Sequence, residues 1–231
     1  MVPYHGPLFN KNPDPRYLEA KKNELDLFGE DLFGVTSSAK SASLVARASE
    51  YLGIDSSDDI CNLALKIDED IAIMNRGKLE AICFCFPSSW IPRERLGQNL
   101  AQIHAPVADG RALVQASSNL TERMASFQQG SFKRYVWTIS ASGELSQHPK
   151  KTKPIRPRSI EDLFFRLETQ ITAPLADQES SLFLVKVETV SLQELWSDAT
   201  KRDFIKNGVN TMSDAILLYK NLKEIKRIIN S

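Results

Sequence analysis

Alternating apolar and polar positions run through the middle of the chain and predict an antiparallel sheet. Residues 63–74 alternate toward a turn at Asn75-Arg76-Gly77, and residues 79–86 alternate on the way back. This pattern is typical of a β-hairpin with a glycine-containing turn. Further strands are predicted at 133–140 and 181–190, and residues 159–170 begin with a helix-capping pattern and then alternate like a strand.

Apolar residues at helical spacing flank these strands and predict helices packed on the sheet. Helices are predicted at 17–28, 38–52, 92–105, from 109 to about 130, from 191, in a segment that ends at Asn207-Gly208, and at 212–229. Strands and helices in this order indicate an α+β fold. The 231 residues fit one domain, with an N-terminal arm and helices at 1–57, a β-rich core at 58–190 and C-terminal helices at 191–231.

Composition excludes several classes of partner. Lys+Arg and Asp+Glu both number 29, so the charge balance favours neither nucleic acid nor an anionic membrane. No apolar run is long enough to span a bilayer, the first residues do not resemble a signal peptide, and three cysteines suit a reducing cytoplasm. We expect the acidic group Asp68-Glu69-Asp70 to face solvent, and the Cys83-x-Cys85 pair to hold no zinc, because no second pair exists.

Two histidines are candidate ligands. His104 follows Leu96, Leu100 and Ile103 on one face of a predicted helix, and Pro106 disfavours helix beyond Ala105. A histidine there is more often a hydrogen-bonded core residue than a ligand. His148 lies beside a basic, proline-interrupted loop at 148–158, which either binds an anion or an acidic partner or is simply solvated.

The stretch that contains His104 resembles a known family. Its elements are Phe86-Pro87-Ser88, Trp90, Arg95-Leu96-Gly97 and Ile103-His104-Ala105-Pro106-Val107. In this order and spacing they are similar to the central motif of the haem-dependent oxidative N-demethylase alpha-subunit family. Further blocks near 134–137, 164–188 and 219–222 are similar in family order, although Val136 stands where the family usually has asparagine.

The resemblance implies a PAS-like antiparallel sheet with flanking helices that encloses haem b. It also implies an oxygenase subunit that uses O₂ to oxidise the carbon next to the nitrogen of a small amine. The electrons would come from a separate flavin and iron–sulfur reductase, because three dispersed cysteines cannot hold a four-cysteine cluster. A homo-oligomer is left open.

The resemblance also assigns roles to residues. His104 is the expected axial ligand of the iron, with His148 as the alternative. Arg95, Arg134 and Trp137 are expected to contact the cofactor. Arg166 either pairs with a haem propionate as well or, with Glu168, orients the amine, and a surface ion pair is the alternative for each arginine. A competing interpretation is a non-catalytic PAS-like module that binds haem or another ligand as a sensor or scaffold.

Overall fold

A computed structural model describes residues 1–106, 117–151 and 156–231. Within them the chain forms a seven-stranded antiparallel sheet with helices packed on it, which confirms the α+β class. The strands are β1 (Val2–Tyr4), β2 (Phe33–Val35), β3 (Asp70–Asn75), β4 (Lys78–Cys83), β5 (Ser131–Ser140), β6 (Phe164–Pro174) and β7 (Ser180–Ser191).

The strands lie in the order β1-β5-β6-β7-β3-β4-β2, and every neighbouring pair is antiparallel. The predicted hairpin is the β3–β4 pair. Its turn residues Arg76 and Gly77 have φ of 46° and 78°, as a tight turn between twisted strands requires. The N-terminal arm contributes β1, which pairs with the start of β5 at the edge of the sheet.

Strand register defines two faces. Arg134 of β5 lies opposite Gln170 of β6, and alternation places Arg166 and Glu168 beside them on one side, here called the front face. Trp137 and Phe165 occupy the other side, here called the back face.

The helices described are α1 (Pro15–Phe28), α2 (Ser37–Ser41), α3 (Leu44–Leu52), α4 (Ile60–Ala64), α5 (Leu100–His104), α6 (Ser117–Ala125), α7 (Leu192–Trp196), α8 (Ala199–Asn210), α9 (Asp214–Tyr219) and α10 (Lys223–Asn230). The predicted helix start at Asp109-Gly110 lies outside the described residues, and so does Val107 of the motif. No described helix is long and apolar enough to cross a membrane.

Two hydrophobic clusters form the core. The larger joins α3, α4, β3, β4 and the middle of β7, with Leu63, Ile71, Ile73, Ile82 and Leu184 fully or almost fully buried. The smaller packs the C-terminal helices on the back face around Ile139, Leu163 and Val209.

Three predicted helices are each broken into two pieces. The 92–105 helix is a 3₁₀ turn (Pro92–Arg95) followed by α5, because Gly97 takes a φ of 76° and Asn99 caps the second piece. Ser43 (φ 49°) separates α2 from α3, and Asn221 (φ 55°) separates α9 from α10. These residues leave the right-handed helical region, so each helix restarts after them.

Other local predictions were wrong. Residues 63–67 do not form a strand, since α4 occupies their first part. The acidic group is buried, with Asp68, Glu69 and Asp70 exposed by 0%, 6% and 1%. Helix α8 also continues through Gly208, which lies against the indole of Trp137.

Candidate functional site

A strip of polar side chains crosses the front face. Arg166, Glu168 and Gln170 project to the same side of β6 because they alternate along the strand. Arg134 Nε donates to Gln170 Oε1, and Gln170 Nε2 donates to Glu168 Oε2 at 2.8 Å. The Glu168 side chain is 20% exposed, so one carboxylate of the strip remains accessible.

Arg166 is completely buried, and its donors are used within the chain. Nη2 donates to the carbonyl of Phe86 at 2.9 Å, Nη1 to the carbonyl of Leu145, and Nε to Ser88 Oγ at 3.2 Å. Burial lowers the pKa of Arg166, while Glu168 at 3.8 Å opposes that shift. Arg166 therefore connects the segments around Phe86 and Leu145 to the sheet and lies beside Glu168.

His104 ends α5, a short helix that begins with a capping box between Asn99 and Gln102. Its Nδ1 lies 2.9 Å from the carbonyl of Leu100, so Nδ1 carries the proton and the lone pair of the neutral ring is on Nε2. Burial lowers the pKa of His104, and the nearby guanidinium of Arg134 adds to the effect. Within the described ranges Nε2 makes no hydrogen bond.

Arg134 is the cation whose charge acts on His104. It is half-buried, and burial lowers its pKa. Only Nε bonds to another described residue, so within the described ranges the two terminal nitrogens make no hydrogen bond. The structure thus brings Arg134, His104 and Glu168 to one region of the front face.

Two other predicted site residues lie elsewhere. Trp137 is on the back face, where it stacks on Phe165 with ring centroids 5.5 Å apart and packs against Phe204 of α8. Arg95 lies in the 3₁₀ turn near β2 and β4, and its side chain bonds to no residue among those described.

The alternative ligand His148 is part of the core. Its ring is fully buried, stacks on Phe28 at 4.1 Å and places Nε2 3.5 Å from Asp31 Oδ2. Burial lowers the pKa of His148, and Asp31 opposes that shift. In the neighbouring basic loop, Lys150 and Lys151 pair with acidic residues of the same chain, while residues 152–155 lie outside the described ranges.

Sequence reasoning missed two residues of this region. Ser88 bridges Arg166 and Glu168 although 80 residues separate it from Glu168; its only signal was its place in the Phe-Pro-Ser motif. Lys220, from the 219–222 block, donates to the carbonyl of Trp137 at 2.8 Å. Burial lowers the pKa of Lys220, and Glu168 opposes the shift, so the two side chains lie close enough to interact.

A cavity of about 230 Å³ opens beside the front face, between the N-terminus, α6 and Phe132. Leu120, Met124 and Arg123 line it, whereas His104 does not. Among the described residues no group of three or more His, Cys, Asp or Glu side chains could hold a metal ion.

Comparison with families of known proteins places the chain in one of them. The model of a family described as haem-dependent oxidative N-demethylase, alpha subunit-like, matches residues 31–230. The match includes the motif around His104, all of the front-face strip and the segment with Lys220. No curated protein matches the chain.

Proposed function

Since the chain belongs to the haem-dependent oxidative N-demethylase, alpha subunit-like family, we propose that it is an oxygenase subunit that oxidises the carbon beside the nitrogen of a small amine. Bound haem b supplies the activation of O₂ and the oxidation itself. The protein holds the haem, orients the amine and excludes water.

The state of His104 is the observation that carries the proposal. A neutral imidazole with Nδ1 fixed on a backbone carbonyl and Nε2 without a partner in the described chain is the arrangement of a metal-ligating histidine. The residues present therefore fit haem ligation. The terminal nitrogens of Arg134, close to His104, are suited to a haem propionate.

Glu168 is the residue that we propose to meet the amine. Its carboxylate is partly exposed on the same face as His104, and a protonated amine is its natural partner. Arg166, each of whose three side-chain nitrogens donates a hydrogen bond inside the protein, positions Glu168. Arg95 and Trp137 lie apart from this group, and we do not include them in the proposed site.

The wider proposals rest on the fold and on the sequence. We propose that the sheet is PAS-like, supported by its antiparallel arrangement, in which the first hairpin, β3–β4, lies beside the last strand, β7. A separate flavin and iron–sulfur reductase would supply electrons, because the 231 residues contain three cysteines and a four-cysteine cluster needs more. A cytoplasmic location is supported by Cys61, Cys83 and Cys85, which are all free thiols.

Hemin titration tests the proposal. The wild-type protein should develop a saturable Soret band at one equivalent, and the loaded protein should release formaldehyde from dimethylamine only when a reductase is added. His104→Ala should abolish or shift the Soret band while the far-UV circular dichroism stays native-like. A protein that ignores hemin would favour the scaffold interpretation.

The other two histidines are the controls. His5 is exposed on the N-terminal arm, so His5→Ala should leave the spectrum unchanged. His148→Ala removes a buried, stacked ring and should cost about 1–3 kcal/mol of folding free energy with the haem spectrum retained. A spectrum that changes in His148→Ala and not in His104→Ala would transfer the ligand role to His148.

A further inference from the structure

We propose that Ser88 is a positioning residue that holds Glu168 apart from Arg166 and so keeps its carboxylate available for a cationic amine. This inference rests on the role of Glu168 in the proposed function. The inference explains why the Phe-Pro-Ser motif lies at the site: its serine contacts Arg166 and Glu168 from a separate segment of the chain.

The Ser88 hydroxyl lies between the two charged groups. It donates to Glu168 Oε1 at 2.8 Å and accepts from Arg166 Nε at 3.2 Å. The direct distance from Arg166 Nε to Glu168 Oε1 is 3.8 Å, which is longer than a hydrogen bond. The hydroxyl is therefore a spacer that transmits orientation from the guanidinium to the carboxylate without direct pairing.

The backbone around Ser88 is fixed from both sides. The buried carboxylate of Asp70 accepts from the amides of Cys85 and Phe86, both at 2.9 Å. On the other side the carbonyl of Pro87 accepts from the amide of Gln147, and the carbonyl of Gln147 accepts from the amide of Ser89, each at 2.9 Å. Since Ser88 lies between these anchors, its hydroxyl is held in place before any ligand binds.

Loss of the hydroxyl has a specific consequence. Arg166 is fully buried and keeps its contacts to the carbonyls of Phe86 and Leu145, so its Nε remains beside Glu168. Without Ser88 Oγ, Nε has no acceptor, and Glu168 Oε1 is the nearest charged oxygen. We expect the carboxylate to close on the guanidinium and form an ion pair that competes with the amine.

Three variants test this role. Ser88→Ala removes the hydroxyl, Ser88→Thr retains it, and Ser89→Ala changes the adjacent exposed serine, whose hydroxyl makes no hydrogen bond to the described residues. In calorimetric titration of the haem-loaded proteins with dimethylammonium, Ser88→Ala should weaken binding about tenfold, as expected for one charge-assisted hydrogen bond. Ser88→Thr and Ser89→Ala should bind as the wild type does.

Crystal structures of Ser88→Ala and Ser89→Ala give a readout that is independent of haem and amine. The Arg166 Nε–Glu168 Oε1 distance should shorten to a direct hydrogen bond in Ser88→Ala only. A distance that stays near its present value overturns the spacer, whatever the protein binds. A shortened distance with unchanged amine affinity overturns the link to the amine.

The two proposals fail in different ways. If the wild type binds neither hemin nor dimethylammonium, the proposed function fails, and a closed contact in Ser88→Ala still supports the spacer. If the wild type binds both and Ser88→Ala matches Ser89→Ala in affinity and in structure, the proposed function stands and the role of Ser88 is wrong.

Discussion

Buried charge around Asp70 shows how single residues organise this protein. Lys21 of α1 is fully buried and donates to the carbonyls of Ala64, Ile67 and Glu69, and its Nζ lies 3.9 Å from Asp70 Oδ1. Asp70 in turn accepts hydrogen bonds from the amides of Cys85 and Phe86, which directly precede Pro87 and Ser88. A helix near the N-terminus thus supports the loop that reaches the candidate site.

Asp70 should make the stability of the protein depend on pH. Burial raises the pKa of Asp70 to about 6, and Lys21 and the amides of Phe86 and Cys85 oppose the shift. In the unfolded chain an aspartate has a pKa of about 3.9. Between these two values the folded state binds more protons, so the contribution of Asp70 to stability increases as pH falls through this window and is lost as pH rises through 6.

Asp70→Asn provides the test, since it removes the titration at similar volume. At pH 7 it should destabilise the protein by about 1–3 kcal/mol, because the NH₂ group of asparagine cannot accept one of the two backbone bonds that Asp70 Oδ1 and Oδ2 accept from Cys85 and Phe86. As the pH falls from 6 to 4, the free energy of unfolding of the wild type should rise relative to that of the variant by up to about 1.4 kcal/mol per pH unit. Urea unfolding at each pH measures this difference. A difference that is constant from pH 4 to 8 would contradict a titrating Asp70.

At the scale of elements, Gly208 shows how a side chain of one strand limits which residue fits at a position of the helix packed on it. An asparagine-glycine pair ordinarily marks a helix end, yet α8 runs to Asn210. A Cβ on Gly208 would lie 2.6 Å from Trp137 Cζ2 and 2.8 Å from Cη2. The glycine is therefore where the helix approaches the indole on the back face.

Gly208→Ala should destabilise the protein by about 1–3 kcal/mol through overpacking, although alanine in a free helix is about 1 kcal/mol more favourable than glycine. Thermal unfolding measures the effect. Asn207→Ala, at the exposed neighbouring position of α8, should be neutral or slightly stabilising. Trp137→Phe in the same chain as Gly208→Ala should recover part of the loss, and an increase in stability in the single Gly208→Ala variant would refute the steric explanation.

The alternation of apolar and polar residues predicted the strands whose form depends on neighbouring residues in the chain. The β3–β4 hairpin, β5, β6 and β7 follow from alternation, and so does the shared face of Arg166, Glu168 and Gln170. What alternation cannot provide is a partner far along the chain. The burial of Asp70 depends on Lys21, and the bridge at Ser88 depends on a residue 78 positions away.

Helix breaks are also poorly encoded by apolar spacing. The residues Leu222, Ile225 and Ile229 are buried as the periodicity predicts, but Leu218 is 67% exposed, because Asn221 takes a left-handed conformation that restarts the helix. The break leaves Lys220 in the connection, where its side chain reaches β5. A residue of the candidate site thus depends on a feature that the periodicity does not contain.

For the whole molecule, helices of the N-terminal region share one hydrophobic cluster with the sheet. Ala39, Leu44 and Ala48 of the first 57 residues belong to the same cluster as Ile71 and Ile82 of the sheet. β2 also extends the sheet by pairing with β4. We therefore infer that residues 1–57 and the β-rich core fold as one unit.

Deletion of residues 1–57 tests this inference. The truncated chain loses β2, the buried Lys21 that faces Asp70, and the helices that cover β3 and β4. It should lose cooperative thermal unfolding and bind a hydrophobic dye, because the exposed core surface and the unpaired buried carboxylate have no replacement. Deletion of residues 1–4, which removes the edge strand β1, is the control. This variant should keep a cooperative transition, since Val2 is 62% exposed, and its midpoint should be lower because the pairing of β1 with β5 is lost. A cooperative, dye-negative protein without residues 1–57 would show that the core folds independently of them.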